Sequence, residues 1–304
     1  MKLERVVIGI DFSRPSVETA RWVAEQFAPG ADLILVHAIS MPEPPPIVRS
    51  RFPRRDLLVD TIREGADKKL RELSLSLSAD RVWLEIREGS PVECLDAVAE
   101  EYSADLIVAG AHGERTGVLN GLGSTAEHLV RGAKRPLLVI TDPPRLTPPS
   151  HILVAVEKAE SAQEALRWAS ALSRWFSAKV TALHVVSSGV ASGALAAAAV
   201  LSGTVPVDLT AHRSLTEPPD RWLECVVASG VPSDRANSET AFGEASHELL
   251  SAAERLQADL VVMGRRDAGN FRRAVLGSVV ERVLHGAQCP VLVVPESGRR
   301  ESGA

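Results

Sequence analysis

The sequence predicts an α/β protein of two repeated, doubly wound domains, each a five-stranded parallel sheet with helices on both faces. Three observations carry this. Short apolar runs alternate with longer segments of helical period, the pattern of parallel strands joined by crossover helices. The pattern restarts after the proline-rich stretch 142–150, which reads as a stiff linker. Matching features in the two halves share one offset. Residues 243–264 mirror 89–110, Gly277-Ser278 mirrors Gly123-Ser124, and 290–294 mirror 136–140, each 154 positions apart. A shared offset over that much chain marks an internal duplication. The expected divisions are a first domain at 1–141, a linker at 142–150, a second domain at 151–296 and a disordered tail at 297–304.

Each element follows from local chemistry. Residues 5–10 are apolar on both faces, as in a central strand, and Asp11 closes the run. Ser13 is the expected cap of a helix with Pro15 near its start. Val17, Ala20, Val23, Ala24 and Phe27 follow at helical spacing until Pro29-Gly30. Residues 33–39 form a second buried strand, and the proline-rich residues 41–46 an extended loop. A long helix is expected over 56–77, a more exposed strand over 82–87, and a helix over 91–102 capped by Ser90. Residues 105–109 and 136–140 supply strands four and five, flanking a helix that begins near Ser124. In the second half, 152–157 mirror the first strand and 180–186 the second, with His184 standing where His37 stood. The glycine- and alanine-rich stretch 187–209 matches nothing in the first half.

The most informative stretch is Ala109-Gly110-Ala111-His112-Gly113, then nine residues, then Gly123-Ser124-Thr125. It runs strand, glycine-rich loop, helix start. Free backbone N–H groups and the positive end of a helix dipole converge at such a place and suit an anion. Ser124 is the expected cap of that helix. On this stretch alone, phosphate binding and a loop whose glycines serve only its turns fit equally. No P-loop string G-x-x-x-x-G-K-[ST] occurs. The match of residues 121–126 to G-x-G-x-x-A starts too far beyond the strand for a dinucleotide fingerprint.

Composition narrows the classes further. The chain has 304 residues, 45% hydrophobic and 24% charged, with net charge −5, so it lacks the basic stripe of a nucleic-acid binder. The short basic clusters near residues 49–55 and 265–273 read as solvated loop surface. Cys94, Cys225 and Cys289 are odd in number and unpatterned, as reduced thiols are. No apolar run reaches the ~20 residues needed to span a bilayer, and the start lacks a signal-peptide pattern. A cytoplasmic protein is the expectation, with no nucleic-acid or membrane partner.

With these residues in view, the chain resembles the universal stress protein family in its tandem two-domain form. The core of the resemblance is G-x2-G-x9-G-[ST], matched by Gly110, Gly113, Gly123 and Ser124. Asp11 at the end of strand one, His37 in strand two and the strand after Pro136 support it. The resemblance implies ATP lying across the carboxyl ends of the strands. Gly9, Ile10 and Asp11 would border adenine and ribose, and Ala38 would meet adenine through its backbone. Ala109, Gly110, Gly113, Gly123, Ser124 and Thr125 would hold ribose and phosphates. No metal ligand is implied among the side chains; a divalent ion such as Mg would be held through the phosphates. Asp11 suits a ribose hydroxyl or adenine amine but equally suits capping the turn to Ser13. His37 and His184 read as satisfied core histidines, His112 as loop packing rather than a base, and Trp168 with Trp175 as a buried helical stripe.

The second half departs from the motif. Gly264, Gly277 and Ser278 remain, but Asp267 replaces the second glycine and Glu157 replaces Asp11. A carboxylate facing phosphate charge predicts a degenerate second site. The leading expectation is an ATP-binding, non-enzymatic regulator in stress response. A slow ATPase or autophosphorylating protein using Ser124 or Thr125 is one alternative, and an assembly protein with vestigial nucleotide sites another. The two final strands, around Leu138 and Leu292, are expected to pair the domains within one chain, leaving surface for a possible homodimer.

Overall fold

The computed structural model describes residues 3–41, 55–112, 122–141, 147–157, 160–187, 219–265 and 278–296. The chain divides into two compact units, Met1–Pro148 and Pro149–Ala304. Gly113, Gly277, Asp267, all but the first residue of the expected loop 41–46, the expected tail 297–304 and most of the stretch 187–209 lie outside the described residues.

Unit 1 is built from β1 (Arg5–Gly9), α1 (Arg14–Trp22), β2 (Asp32–Ile39), α2 (Arg55–Leu75), β3 (Val82–Glu88), α3 (Pro91–Glu101), β4 (Leu106–Gly110), α4 (Ser124–Gly132) and β5 (Leu137–Ile140). Its strands run in the order β3-β2-β1-β4-β5, all parallel. The chain therefore winds from β1 to one side through β2 and β3, then crosses back to β4. That reversal leaves a switch point between the carboxyl ends of β1 and β4, where doubly wound sheets hold their ligands. In register, Gly9 lies beside Val36 on one side, and Ile8 beside Val108 on the other.

The central strands are apolar on both faces because helices cover both. Val6, Val7, Ile8, Leu33, Ile34, Leu35, Leu106, Ile107 and Val108 have no measurable exposure. α3 and α4 touch one another on one face; α1 packs on β4, and α2 on β2 and β3. Ser13 caps α1 as expected, its Oγ accepting from the Ser16 N–H at 3.3 Å, with Pro15 at the start. The helix then loosens into a π-helical turn, Val23–Phe27, closed by the Ala28 N–H donating to the Val23 carbonyl at 2.8 Å. The extra residue per turn carries Phe27 fully inward, where its ring lies 5.0 Å from that of Trp22. Ser90 stands at the N-cap of α3, but its side chain makes no capping bond. The cap expected from sequence is there in position only.

Unit 2 repeats the plan with β6 (His151–Val156), α5 (Glu160–Phe176), β7 (Lys179–Ser187), α6 (Pro219–Ala228), β8 (Ala236–Gly243), α7 (Ala245–Arg255), β9 (Leu260–Arg265), α8 (Ser278–Gly286) and β10 (Val291–Pro295). Its order is β8-β7-β6-β9-β10, again parallel. The duplication extends to single contacts. Asp105 Oδ2 accepts from the N–H groups of Glu4 and Arg5 at 2.7 and 3.1 Å, clasping the start of β1 to that of β4. Asp259, 154 residues later, accepts from Ser150 and His151 at 2.9 and 3.1 Å. Trp168 is buried on α5 as expected, but Trp175 is 37% exposed, so the expected stripe covers only the first of the two.

His151 adds a pH dependence to unit 2. Its Nδ1–H donates to the Leu256 carbonyl at 3.1 Å, and Nε2 accepts from the Thr181 hydroxyl at 2.9 Å. Burial holds its pKa below the ordinary imidazole value, helped by Lys179 and opposed by the Leu256 carbonyl and the charges of Asp259 and Glu239. The unfolded chain then takes up the proton more readily than the folded one. Stability is full above the unfolded value of about 6.5 and falls as pH drops through it toward the folded pKa. Urea unfolding at pH 7.5 and 5.5 is expected to give a lower midpoint at 5.5, and His151→Gln is expected to narrow that gap. An unchanged gap in the variant rules His151 out as its source.

Candidate functional site

The cleft at the switch point of unit 1 has a volume of about 250 Å³. One wall is the end of β1 and the turn beyond it: Gly9, Ile10, Asp11 and Ser16. A second is the end of β2, with Val36, His37 and Ala38. The loop after β4 and the start of α4 supply Ala109, Gly110, Ala111, His112, Gly123, Ser124, Thr125 and Ala126. Pro91 and Leu95 close it from α3. Of the first-half positions named from sequence, nine line this one cleft, and Gly113 lies outside the described residues.

Backbone geometry explains why glycines are needed. Gly123 donates its N–H to the Ala111 carbonyl at 2.7 Å, and a Cβ at Gly123 would sit 3.0 Å from that same oxygen. A Cβ at Gly110 would lie 3.2 Å from the His112 carbonyl. At Gly9 it would meet Leu95 Cδ1 at 3.3 Å. The missing side chains thus let protein segments close on each other and fold the loop back against β4. That packing role was not separable, in sequence, from close approach to a ligand.

The start of α4 corrects one expectation. The N-cap is Gly123, not Ser124; its φ of −64° and ψ of 148° are extended, and no side chain caps the helix. The first-turn amides of a helix have no partner within it. Capped by glycine, those of Ser124, Thr125 and Ala126 meet the cleft with no capping oxygen supplied by the N-cap residue, and with the positive end of the helix dipole behind them.

Asp11 caps the turn to Ser13 and also stands at the cleft. Oδ1 accepts from the Ser13 N–H at 2.9 Å and from Ser13 Oγ at 2.5 Å, which fixes the turn into α1, while the residue also lines the cleft. A carboxylate has about four acceptor positions, so turn-capping does not exhaust it. His37 is satisfied, as expected, but it is no core residue. It is half-buried in the cleft wall, with Nδ1 donating to the Ile10 carbonyl at 2.7 Å. His184 makes the matching bond to the Val156 carbonyl at 3.1 Å. Among the described lining residues, the titratable groups are Asp11, His37 and His112. The described lining offers amides and a helix dipole, and no lysine or arginine side chain. Cys94, packed against Gly89, has its thiol pushed up chiefly by burial and next by Glu93, opposed by Arg87.

Sequence reasoning missed Ser16, Val36, Ala111, Pro91 and Leu95 as lining residues. Pro91 and Leu95 had a usable signal, because a helix that follows β3 must cross the carboxyl ends of its neighbours. Phe12, next to the lining residue Asp11 but not itself in the lining, has a left-handed φ of 65° that the sequence reading did not anticipate. In unit 2, Glu157 is exposed just beyond β6, Gly264 lies in β9, and Ser278 begins α8.

A five-stranded parallel sheet built twice in one chain, with a glycine-walled cleft at the switch point of the first, defines a tandem α/β protein of the doubly wound class. The chain belongs to the universal stress protein family, whose model matches residues 2–141 and again 149–295. Membership places it among stress-response proteins. A universal stress protein of Mycobacterium tuberculosis (strain H37Rv) is 26% identical over 304 residues, 96% of each chain. One from Synechocystis is 30% identical over 155 residues, covering 47% of this chain and 96% of that protein. Among solved structures, a universal stress protein from Archaeoglobus fulgidus shares the fold, with a TM-score of 0.67 at 18% identity over 97% of this chain and all of that one. No described helix is long and apolar enough to cross a membrane.

Proposed function

We propose that unit 1 binds an adenine nucleotide, ATP in the leading case, and that the protein acts as a ligand-dependent, non-enzymatic regulator. The carrying observation is the glycine-capped start of α4 at the switch-point cleft. The residues present fit the ligand. Asp11 offers acceptors to ribose hydroxyls, and the wall from Val36 to Ala38 offers apolar surface and backbone groups to the base. The amides at Ser124 and Thr125 suit phosphates. A divalent ion such as Mg would be held through those phosphates, and Gly110 and Gly123 would keep the backbone close beneath them. Ser124 is an exposed hydroxyl at the cleft, which favours autophosphorylation as a second reading. Phosphate release over time, with Ser124→Ala as control, separates the two.

One nucleotide per chain is the expected stoichiometry, because Asp267 puts a carboxylate where the first half has Gly113, and Glu157 puts a longer side chain where it has Asp11. Titration calorimetry tests this directly, and two equal sites would overturn the reading of unit 2. ATP at about ten times its dissociation constant is expected to add roughly 1.4 kcal/mol to the stability of unit 1. No thermal shift at millimolar ATP would remove the nucleotide reading altogether.

The two units are further proposed to pair through β5 and β10, with a homodimer built on other surfaces. The support is that each strand is wholly apolar and comes last in its own unit's order, and that an apolar edge needs cover. Cysteines placed at Leu138 and Leu292 should then crosslink within one chain. Failure of that crosslink under oxidising conditions argues for independent units.

A further inference from the structure

We infer that Phe12 is a positioning residue of the cleft, whose left-handed turn and ring hold His37 in one tautomer and set Asp11 against the ligand; this rests on the nucleotide reading of the site. The backbone gives the first reason. Among the described non-glycine residues, four have positive φ: Phe12 at 65°, Ser103 at 49°, Ser177 at 58° and Gln257 at 50°. The last three each follow a helix, α3, α5 or α7, where a left-handed residue is the ordinary way to stop. Phe12 follows a strand and precedes a helix, and a bulky residue is an outlier there. Glycine would make this turn without strain, so the ring itself needs a use.

The contacts supply that use. The Phe12 ring lies 4.6 Å from the His37 imidazole, centroid to centroid, tilted by 40°. Lys69 of α2 places its Nζ 5.1 Å from the centre of the Phe12 ring. The His37 Nδ1 faces the Ile10 carbonyl, which only accepts, so Nδ1 carries the proton and Nε2 of the neutral ring is an acceptor. On the other side of the turn, Asp11 reaches over Phe12 to both the N–H and hydroxyl of Ser13. Three successive residues, Ile10, Asp11 and Phe12, thereby tie the end of β1 to the imidazole of β2 and to the cap of α1. Both Asp11 and His37 line the cleft. Strain that is held by its surroundings at a ligand site pre-organises that site.

The test uses the full chain with Phe12→Gly and Phe12→Tyr. Three quantities are read: the nitrogen resonances of the His37 imidazole, assigned with His37→Gln; the affinity for Mg-ATP by calorimetry; and the urea midpoint without nucleotide. In the parent, His37 should show the fixed Nδ1–H tautomer. In Phe12→Gly it should average between tautomers, with affinity about tenfold lower and a urea midpoint no lower than the parent's. Phe12→Tyr should restore the parent values. A fixed tautomer in Phe12→Gly overturns the inference whatever its affinity. So does averaging with unchanged affinity, or a fall in affinity matched by a fall in the urea midpoint, which would make Phe12 merely structural. If the parent binds no ATP at millimolar concentration, the nucleotide reading fails, and the His37 resonances still decide whether Phe12 holds the ring.

Discussion

Gly123→Val protein is expected to bind ATP about a hundredfold more weakly than the parent, a loss of roughly 2.8 kcal/mol, while remaining folded. The cause is local. The first atom of any side chain at this position would stand 3.0 Å from the Ala111 carbonyl oxygen, and the valine methyls crowd it further. The 2.7 Å bond from Gly123 N–H to that oxygen then lengthens or breaks. With it, the start of α4 moves away from the end of β4, and the amides proposed to hold phosphate lose their common focus. Valine tolerates the extended backbone at this position, so the loss does not come from φ and ψ. Gly123→Ala, which adds only the Cβ, is expected to cost about tenfold, near 1.4 kcal/mol. Calorimetric titration measures both. A Gly123→Val protein that binds like the parent would mean the glycine serves a turn remote from the ligand.

Phe27→Ala is expected to destabilise unit 1 by about 3–5 kcal/mol, enough to lower its thermal midpoint by roughly 10 °C. The ring is fully buried, and the π-helical turn that carries it leaves the backbone little room to collapse into the space. Its neighbour Trp22, 2% exposed, would lose its ring partner and face a cavity. Trp175→Ala makes a useful contrast. That side chain is 37% exposed, and its removal is expected to cost less than about 1.5 kcal/mol. Urea unfolding followed by a probe in unit 1 distinguishes the two. Similar small losses for both would show that the Phe27 site repacks.

How much of this was legible in the sequence depended on whether a single chain segment decided the feature. The apolar strands were, because runs such as Leu33 to Ile39 are covered on both sides, whereas β8, Ala236–Gly243, is polar and half-exposed and was not named. The repeat was, because a constant offset needs no structure to be seen. The cleft positions along Gly9 to Asp11 and Ala109 to Thr125 were found through a family motif, which carries spatial information that spacing alone lacks. Features that depend on two segments meeting were not legible. Ser124 has the right chemistry for a cap, but the loop returns to Ala111 one residue earlier, so Gly123 takes the position. His37 sits in an apolar run that reads as core, yet its place near the end of β2 brings it to the cleft wall. The left-handed turn at Phe12 had no sequence signal, since the residue types that favour that conformation are absent there.

The aspartate clasps carry a consequence for how each unit is completed. β1 has its early neighbour, β2, available as soon as residue 39 is made, but its other neighbour and the carboxylate that holds its start lie about a hundred residues beyond β1 itself. The same delay separates β6 from β9 and Asp259. Pairings of such long range are slow, because the chain must close a large loop before any contact rewards it. The switch-point cleft lies between those late partners, so a growing chain has no cleft until β4, its loop and α4 have all emerged. A ligand that recognises the cleft therefore draws the population toward finished domains and gives no support to a truncated one. A nucleotide bound as proposed would in that sense mark a first unit assembled through to its last helix.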